Sequence, residues 1–197
     1  MSNITPIDLI YEPALASALR QGEIITGLVQ YIIDWDNTDI QHDEISYISV
    51  KHPYTIVVSQ DCDLDWDYQA RALGKSSSKI LPNILFCEVV TAIDLRGKTE
   101  INSGIWSNIK INKNERYQFL QQVTAEEDAY QEGLPELGVD FKRYFTIPTK
   151  EAYLQLEREH TKRRCRLKSP YVEHFSSRFY YFQSRIALPS EHFSEPS

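Results

Sequence analysis

Polar and apolar positions along this chain predict a strand-rich first part and a helical end. Residues 23–33 are dense in Ile, Val and Tyr and read as one long strand. Gly27 inside it predicts a bulge or sharp bend, as in a small barrel. Residues 34–44 are acidic, hold Asp36-Asn37 and read as a loop. Residues 45–50 alternate in part and read as a second strand. Pro53 interrupts before a third, apolar and β-branched, over 54–59. Further strands are predicted at 84–91, 116–123 and 139–147, with a flexible loop at 74–79 and an acidic one at 126–138.

The helical signals are of two kinds. Residues 13–21 have Pro13 near their start and Gly22 just past their end, the usual punctuation of a short helix. Residues 64–73 and 149–160 follow by propensity, and 163–167 read as a last strand or a linker. The C-terminal helix has Ser169 as N-cap, Pro170 at its first position and no breaker until Pro189. Val172, Phe175, Phe179, Phe182 and Ile186 fall at 3-4-3-4 spacing, a single stripe that must be buried. His174, Arg178, Tyr181 and Arg185 form a second stripe, about 100° around the helix.

Strands first and helices after predict an α+β protein built on a compact, partly open barrel. A barrel-like unit with a short N-terminal helix is expected over 1–147. A helical segment sharing its core is expected over 148–197.

At 197 residues, 42% hydrophobic and 25% charged, the composition is that of an ordinary globular domain with one core. No run approaches the roughly 20 apolar residues that cross a bilayer. The start, Met1-Ser2-Asn3-Ile4-Thr5-Pro6, has no basic region followed by an apolar one. Cys62, Cys87 and Cys165 form no CxxC pair, which argues against a disulfide framework or a finger-type zinc site. The expected setting is cytoplasmic, without membrane contact. The net charge of −7 is uneven: residues 1–141 hold 10 Lys/Arg against 22 Asp/Glu, and residues 142–185 hold 11 against 4. The acidic part repels phosphate backbones, whereas the basic part suits RNA, DNA or an acidic partner.

Candidate chemistry gathers where the third strand ends, at Ser59-Gln60-Asp61-Cys62-Asp63. A rigid strand that delivers a hydroxyl, an amide, acids and a thiol is a common way to build a binding site. Asp61, Asp63, Asp65 and Asp67 recur at every second residue, as in calcium loops. An EF-hand beginning at Asp61 needs Gly and Glu where Trp66 and Ala72 stand, so that motif fails. The alternative is a solvated acidic turn in which Asp63 caps the next helix.

A transition-metal site would draw on Asp61, Cys62 and Asp63 with His52 or Cys87, although no local spacing enforces its geometry. No cofactor is predicted. A Cys62–His52 nucleophile pair is opposed by the neighbouring acids, which raise the thiol pKa. Arg178, Tyr181 and Arg185, following the basic run 158–168, are the nucleic-acid candidates, since guanidinium groups hold phosphates and tyrosines stack bases. Their competing role is to pair with the acidic N-terminal part and fasten the helix down.

The order Gly22-Glu23-Ile24-Ile25, then Pro53-Tyr54-Thr55-Ile56-Val57-Val58-Ser59-Gln60-Asp61, then Asn83-Ile84-Leu85-Phe86-Cys87-Glu88-Val89-Val90-Thr91 resembles the MazF/PemK toxin family over the first half. The resemblance implies an SH3-like barrel, usually dimeric, that cleaves or binds single-stranded RNA. His52, with Lys51 beside it, stands where that family has a catalytic Arg before Pro, and Thr91 is the counterpart of its Thr or Ser. The second half, ending Arg178-Phe179-Tyr180-Tyr181-Phe182-Gln183-Ser184-Arg185, is similar to the close of an uncharacterised group of bacterial proteins that share the Ser-Gln-Asp-Cys-Asp strand end. That similarity implies no activity.

The expected function is an accessory or adaptor protein of a bacterial toxin–antitoxin or phage-defence system, a catalytically divergent barrel that binds a protein partner. The first alternative is a metal-independent endoribonuclease using His52, Lys51 and Thr91 on single-stranded RNA. The second is a metal-dependent enzyme centred on Asp61, Cys62 and Asp63.

Overall fold

The computed structural model describes residues 10–14, 17–42, 44–74, 78–158 and 161–185. Its strands are β1 (Tyr11–Pro13), β2 (Glu23–Ile33), β3 (Tyr47–Val57), β4 (Asn83–Thr91), β5 (Tyr117–Leu120), β6 (Leu137–Pro148) and β7 (Lys162–Leu167). The helices are α1 (Asp61–Ala72), α2 (Ala92–Arg96), α3 (Ser103–Lys110), α4 (Thr149–Glu157) and α5 (Tyr171–Gln183). The strands form one antiparallel sheet in the order β1-β7-β2-β3-β4-β6-β5.

The α+β class therefore stands, but the sheet does not close. It runs from one edge, β1, to another, β5, and each edge strand is only 3 or 4 residues long. Short edges offer little ladder to pair, and helices cover both faces, so the apolar side chains fill two layers and not one barrel interior. On one face Ile24, Ile56, Val89, Phe141 and Leu167 pack with Val172, Phe175, Phe179 and Phe182 of α5. On the other, Ile25, Leu28, Val57, Phe86 and Ile147 pack with Leu64 of α1 and Ala152 of α4.

Gly27 makes the bend its position predicts. Its φ of +79° is open to Gly at little cost. Ile25 and Leu28, three residues apart, consequently face the same cluster, so the strand's alternation is reset at that point. The two predicted strands around Pro53 are one strand, β3, paired with β2 from Ile24↔Ile56 out to Ile33↔Tyr47. Pro is tolerated there because β4 pairs with β3 only over Tyr54–Val57, leaving the edge before it open.

The helix expected over 13–21 is not formed by its described residues. Tyr11–Pro13 pair instead with β7, and Ser17–Arg20 are irregular. In α5 the apolar stripe lies buried as its spacing predicts, and Ile186 lies outside the described residues. Pro170 and not Ser169 occupies the cap, without a side-chain capping bond.

Candidate functional site

Of the polar residues after β3, Ser59 and Asp61 are taken up by partners, while Gln60, Cys62 and Asp63 stay exposed. Ser59 Oγ accepts from the Leu85 amide at 2.9 Å, and Gln60 precedes α1, which opens on Asp61. The Asp61 carboxylate accepts from Gln21 N at 2.7 Å, from Arg20 at 3.1 and 3.2 Å, and from Arg166 at 2.5 Å. Arg166 also meets Glu12 at 3.5 Å. Burial alone would raise the Asp61 pKa. The Arg20 hydrogen bond, the Gln21 amide and the two guanidinium charges outweigh it and hold the group below the usual carboxylate range.

Cys62 is exposed, with its thiol 3.7 Å from Gln60 Oε1, whereas Cys87 is buried in the α5-side core. Among the described residues no three His, Cys, Asp or Glu side chains gather as a metal site. The alternating acids part company. Asp67 is buried, grips Arg71 at 2.8 and 2.9 Å and accepts from Leu81 N, while Asp63 and Asp65 stay exposed.

His52 is 4% exposed. Its ring stacks on Phe145 with centroids 3.9 Å apart, its Nδ1 lies 3.4 Å from Glu88 Oε1, and its Nε2 lies 3.4 Å from Gln30 Oε1. Arg143 holds the other oxygen of Glu88 at 2.8 Å. Burial is the main cause that lowers the His52 pKa, with Arg143 adding to it and Glu88 opposing. Lys51 beside it is exposed. Thr91 is the N-cap of α2, accepting from Asp94 N at 3.1 Å and donating to the Asp94 carboxylate at 2.6 Å. Neither Lys51 nor Thr91 is among the contacts of His52.

In the polar stripe of α5 only Arg178 is half-buried, while His174, Tyr181 and Arg185 are exposed. Arg178 donates to the carbonyls of Asn114 and Tyr117 and lies over the Phe141 ring at 5.6 Å. Arg185 lies 3.6 Å over the Phe182 ring and reaches Glu115 at 3.7 Å. Tyr181 stands well out in solvent, beside a cleft of about 370 Å³ between α5 and the 112–115 turn, without a partner among these contacts. Both arginines thus fasten the helix.

The same holds for much of the basic segment, six of whose 11 Lys/Arg find acids. Arg143, Lys162, Arg163, Arg164, Arg166 and Arg185 pair with Glu88, Glu132, Glu23, Asp128, Asp61 and Glu115. Every one of those acids belongs to the acidic first 141 residues. The lopsided sequence charge folds onto itself.

One feature escaped the sequence reading. β7 flanks β2 only over Glu23–Thr26, and β4 flanks β3 only over Tyr54–Val57. Beyond these, 28–33 and 47–52 form a two-stranded arm, with no third strand beside it among the described residues, about 20 Å long before its connecting loop. Gln155 of α4 seals its root, accepting from Val29 N at 2.8 Å and donating to Val29 O at 2.7 Å. Along one face, Leu28 and His52 are buried, Gln30 and Val50 half-buried, and Ile32 and Ile48 exposed, so a core face runs out into solvent. On this arm and its loop Tyr31, Ile32, Trp35, Ile40, Ile45, Tyr47 and Ile48 are each between 45% and 68% exposed. The signal was present in the sequence: a stretch, 24–50, dense in large apolar side chains and without one Lys or Arg.

Compared with family models, curated proteins and solved structures, the chain gives no match.

Proposed function

We propose that this chain is a non-catalytic adaptor that binds a protein partner through the β2–β3 arm. The observation that carries this reading is the exposed apolar arm itself. So many large apolar side chains exposed on one arm are costly to leave in water, and such clusters mark interaction sites. Its Tyr and Trp side chains supply large, rigid contact area of the kind that dominates interface energetics. The setting, a toxin–antitoxin or phage-defence system, rests on the MazF/PemK resemblance of the first half and not on the arm.

The endoribonuclease reading has less support. It requires a group at His52 that reaches a 2′-hydroxyl, yet that ring is stacked and enclosed, with its neighbours Glu88 and Gln30 facing both nitrogens.

Size-exclusion chromatography of extracts from native cells tests the adaptor reading. The wild-type chain should elute in a complex well above its own 22.9 kDa. The combined variant Tyr31→Ser, Trp35→Ser and Ile48→Ser should elute as the free chain with an unchanged Tm. Cleavage of single-stranded RNA by the purified protein in EDTA, lost on His52→Ala, would overturn it.

A further inference from the structure

The charge on the arm says what kind of protein it fits. This step rests on the adaptor reading above and narrows it. Residues 24–50 carry Asp34, Asp36, Asp39, Asp43 and Glu44 and no Lys or Arg. Among the described residues none of Asp34, Asp36, Asp39 or Glu44 meets a Lys or Arg: Asp34 accepts from Asn37, and Asp39 lies 2.7 Å from His42. Elsewhere many acids of the first 141 residues pair with arginines, though Asp63 and Asp65 do not, and the arm's tip gathers several unbalanced negative charges in one loop.

We infer that the arm docks into an apolar groove of a different protein, one whose rim carries Lys or Arg. Ile32, Ile48 and Trp35 enter the groove, and Asp36 and Glu44 face the basic rim. Opposite potentials across an interface steer encounter and suppress wrong partners.

The same charges argue against the other occupants. Two arms brought together in a symmetric dimer would set acid against acid. A second copy in head-to-tail contact would have to offer a basic groove, but its apolar cleft between α1 and α4 sets Lys150 and Arg71 beside Glu157, and Arg71 is already held by Asp67, so that rim carries no positive excess. Nucleic acid presents phosphates to the tip, where no cation waits for them.

In-cell crosslinking followed by titration tests this. A photoreactive phenylalanine analogue at Ile48 should yield one crosslinked protein. That protein, purified, should bind the full wild-type chain with an affinity that falls about tenfold when salt rises from about 50 to 500 mM. The double variant Asp36→Asn, Glu44→Gln should bind about tenfold more weakly, while Glu173→Gln, an exposed acid of α5, should bind as wild type. Those acids have no side-chain partner to lose, so folding is preserved. A crosslink to a second copy of this chain, a crosslink to nucleic acid, or an affinity indifferent to both salt and neutralisation overturns the inference. With the wild-type complex present, the second-copy and the salt-indifferent results leave the adaptor reading in place. No complex and no crosslink remove both.

Discussion

Asp61→Asn separates a structural clasp from a reacting group. The substitution keeps the size of the side chain and an acceptor for the Gln21 amide, and it removes the charge that faces Arg20 and Arg166. A hydrogen bond to a charged group contributes about 1.5–3 kcal/mol when sheltered. The Arg20 side chain is 38% exposed, so solvent screening reduces its share to under about 1 kcal/mol. The Arg166 side chain, 19% exposed, keeps about 1–2 kcal/mol. The variant should therefore be about 1–3 kcal/mol less stable at pH 7.

The pH dependence of that gap follows from the direction of the shift. The folded state holds the Asp61 pKa down, so its stabilising contribution is complete above the unfolded value of about 3.9 and is lost as pH falls through the folded value. Urea unfolding of both proteins at pH 7, 5 and 3, followed by tryptophan fluorescence, measures this. Because both chains share every other carboxylate, the difference isolates Asp61. A gap under about 0.5 kcal/mol at pH 7, or one that persists unchanged at pH 3, refutes the reasoning. A more stable variant would be the signature of an acid strained for function.

Two other outcomes are expected. His52 has a pKa lowered chiefly by burial, so the unfolded chain takes up a proton that the folded one resists; wild type should lose stability relative to His52→Gln as pH falls below about 6.5, and a gap flat from pH 8 to 5 would count against it. Phe175→Ala empties a fully buried site packed on Phe141 and should cost about 3–5 kcal/mol, lowering Tm by about 10 °C in a thermal melt, with a drop under about 3 °C as the contrary result.

Local pattern made α5, β2 and β4 legible, because each sequence repeat maps onto one face of one element. The failures have specific causes. Pro13 and Gly22 read as helix punctuation, yet Gly22 serves a crossing of chains. Its N–H donates to Val57 O, its carbonyl accepts from Leu167 N, and a Cβ there would lie 2.9 Å from Val172. α2 and α3 went unseen because they are short, 5 and 8 residues, and depend on the caps Thr91 and Asn102. Ser59 and Gln60 follow the end of β3, whereas Asp61, Cys62 and Asp63 form the first turn of α1. What no spacing could reveal is that Arg166, 105 positions away, would arrive to occupy Asp61. Glu23 and Arg163, 140 apart, are the same case.

The five acids of 24–50 admit a rival explanation, that they keep a sticky arm soluble, since charges flanking apolar strands act as gatekeepers against aggregation. The two roles diverge in what neutralisation does. A gatekeeper's loss shows at high concentration and in any company, as precipitation or self-association of the free chain. A docking acid's loss shows at low concentration, as a weaker complex with one partner and a flatter salt dependence. Composition favours docking. Gatekeepers of either sign would serve solubility, and lysine is the commonest guard of exposed strands, yet the arm's tip, 34–44, uses acids alone, its one lysine, Lys51, standing near the root opposite Val29. A single sign, kept clear of the arginines that neutralise acids throughout the rest of the sheet, fits selection of a basic counterpart better than general protection.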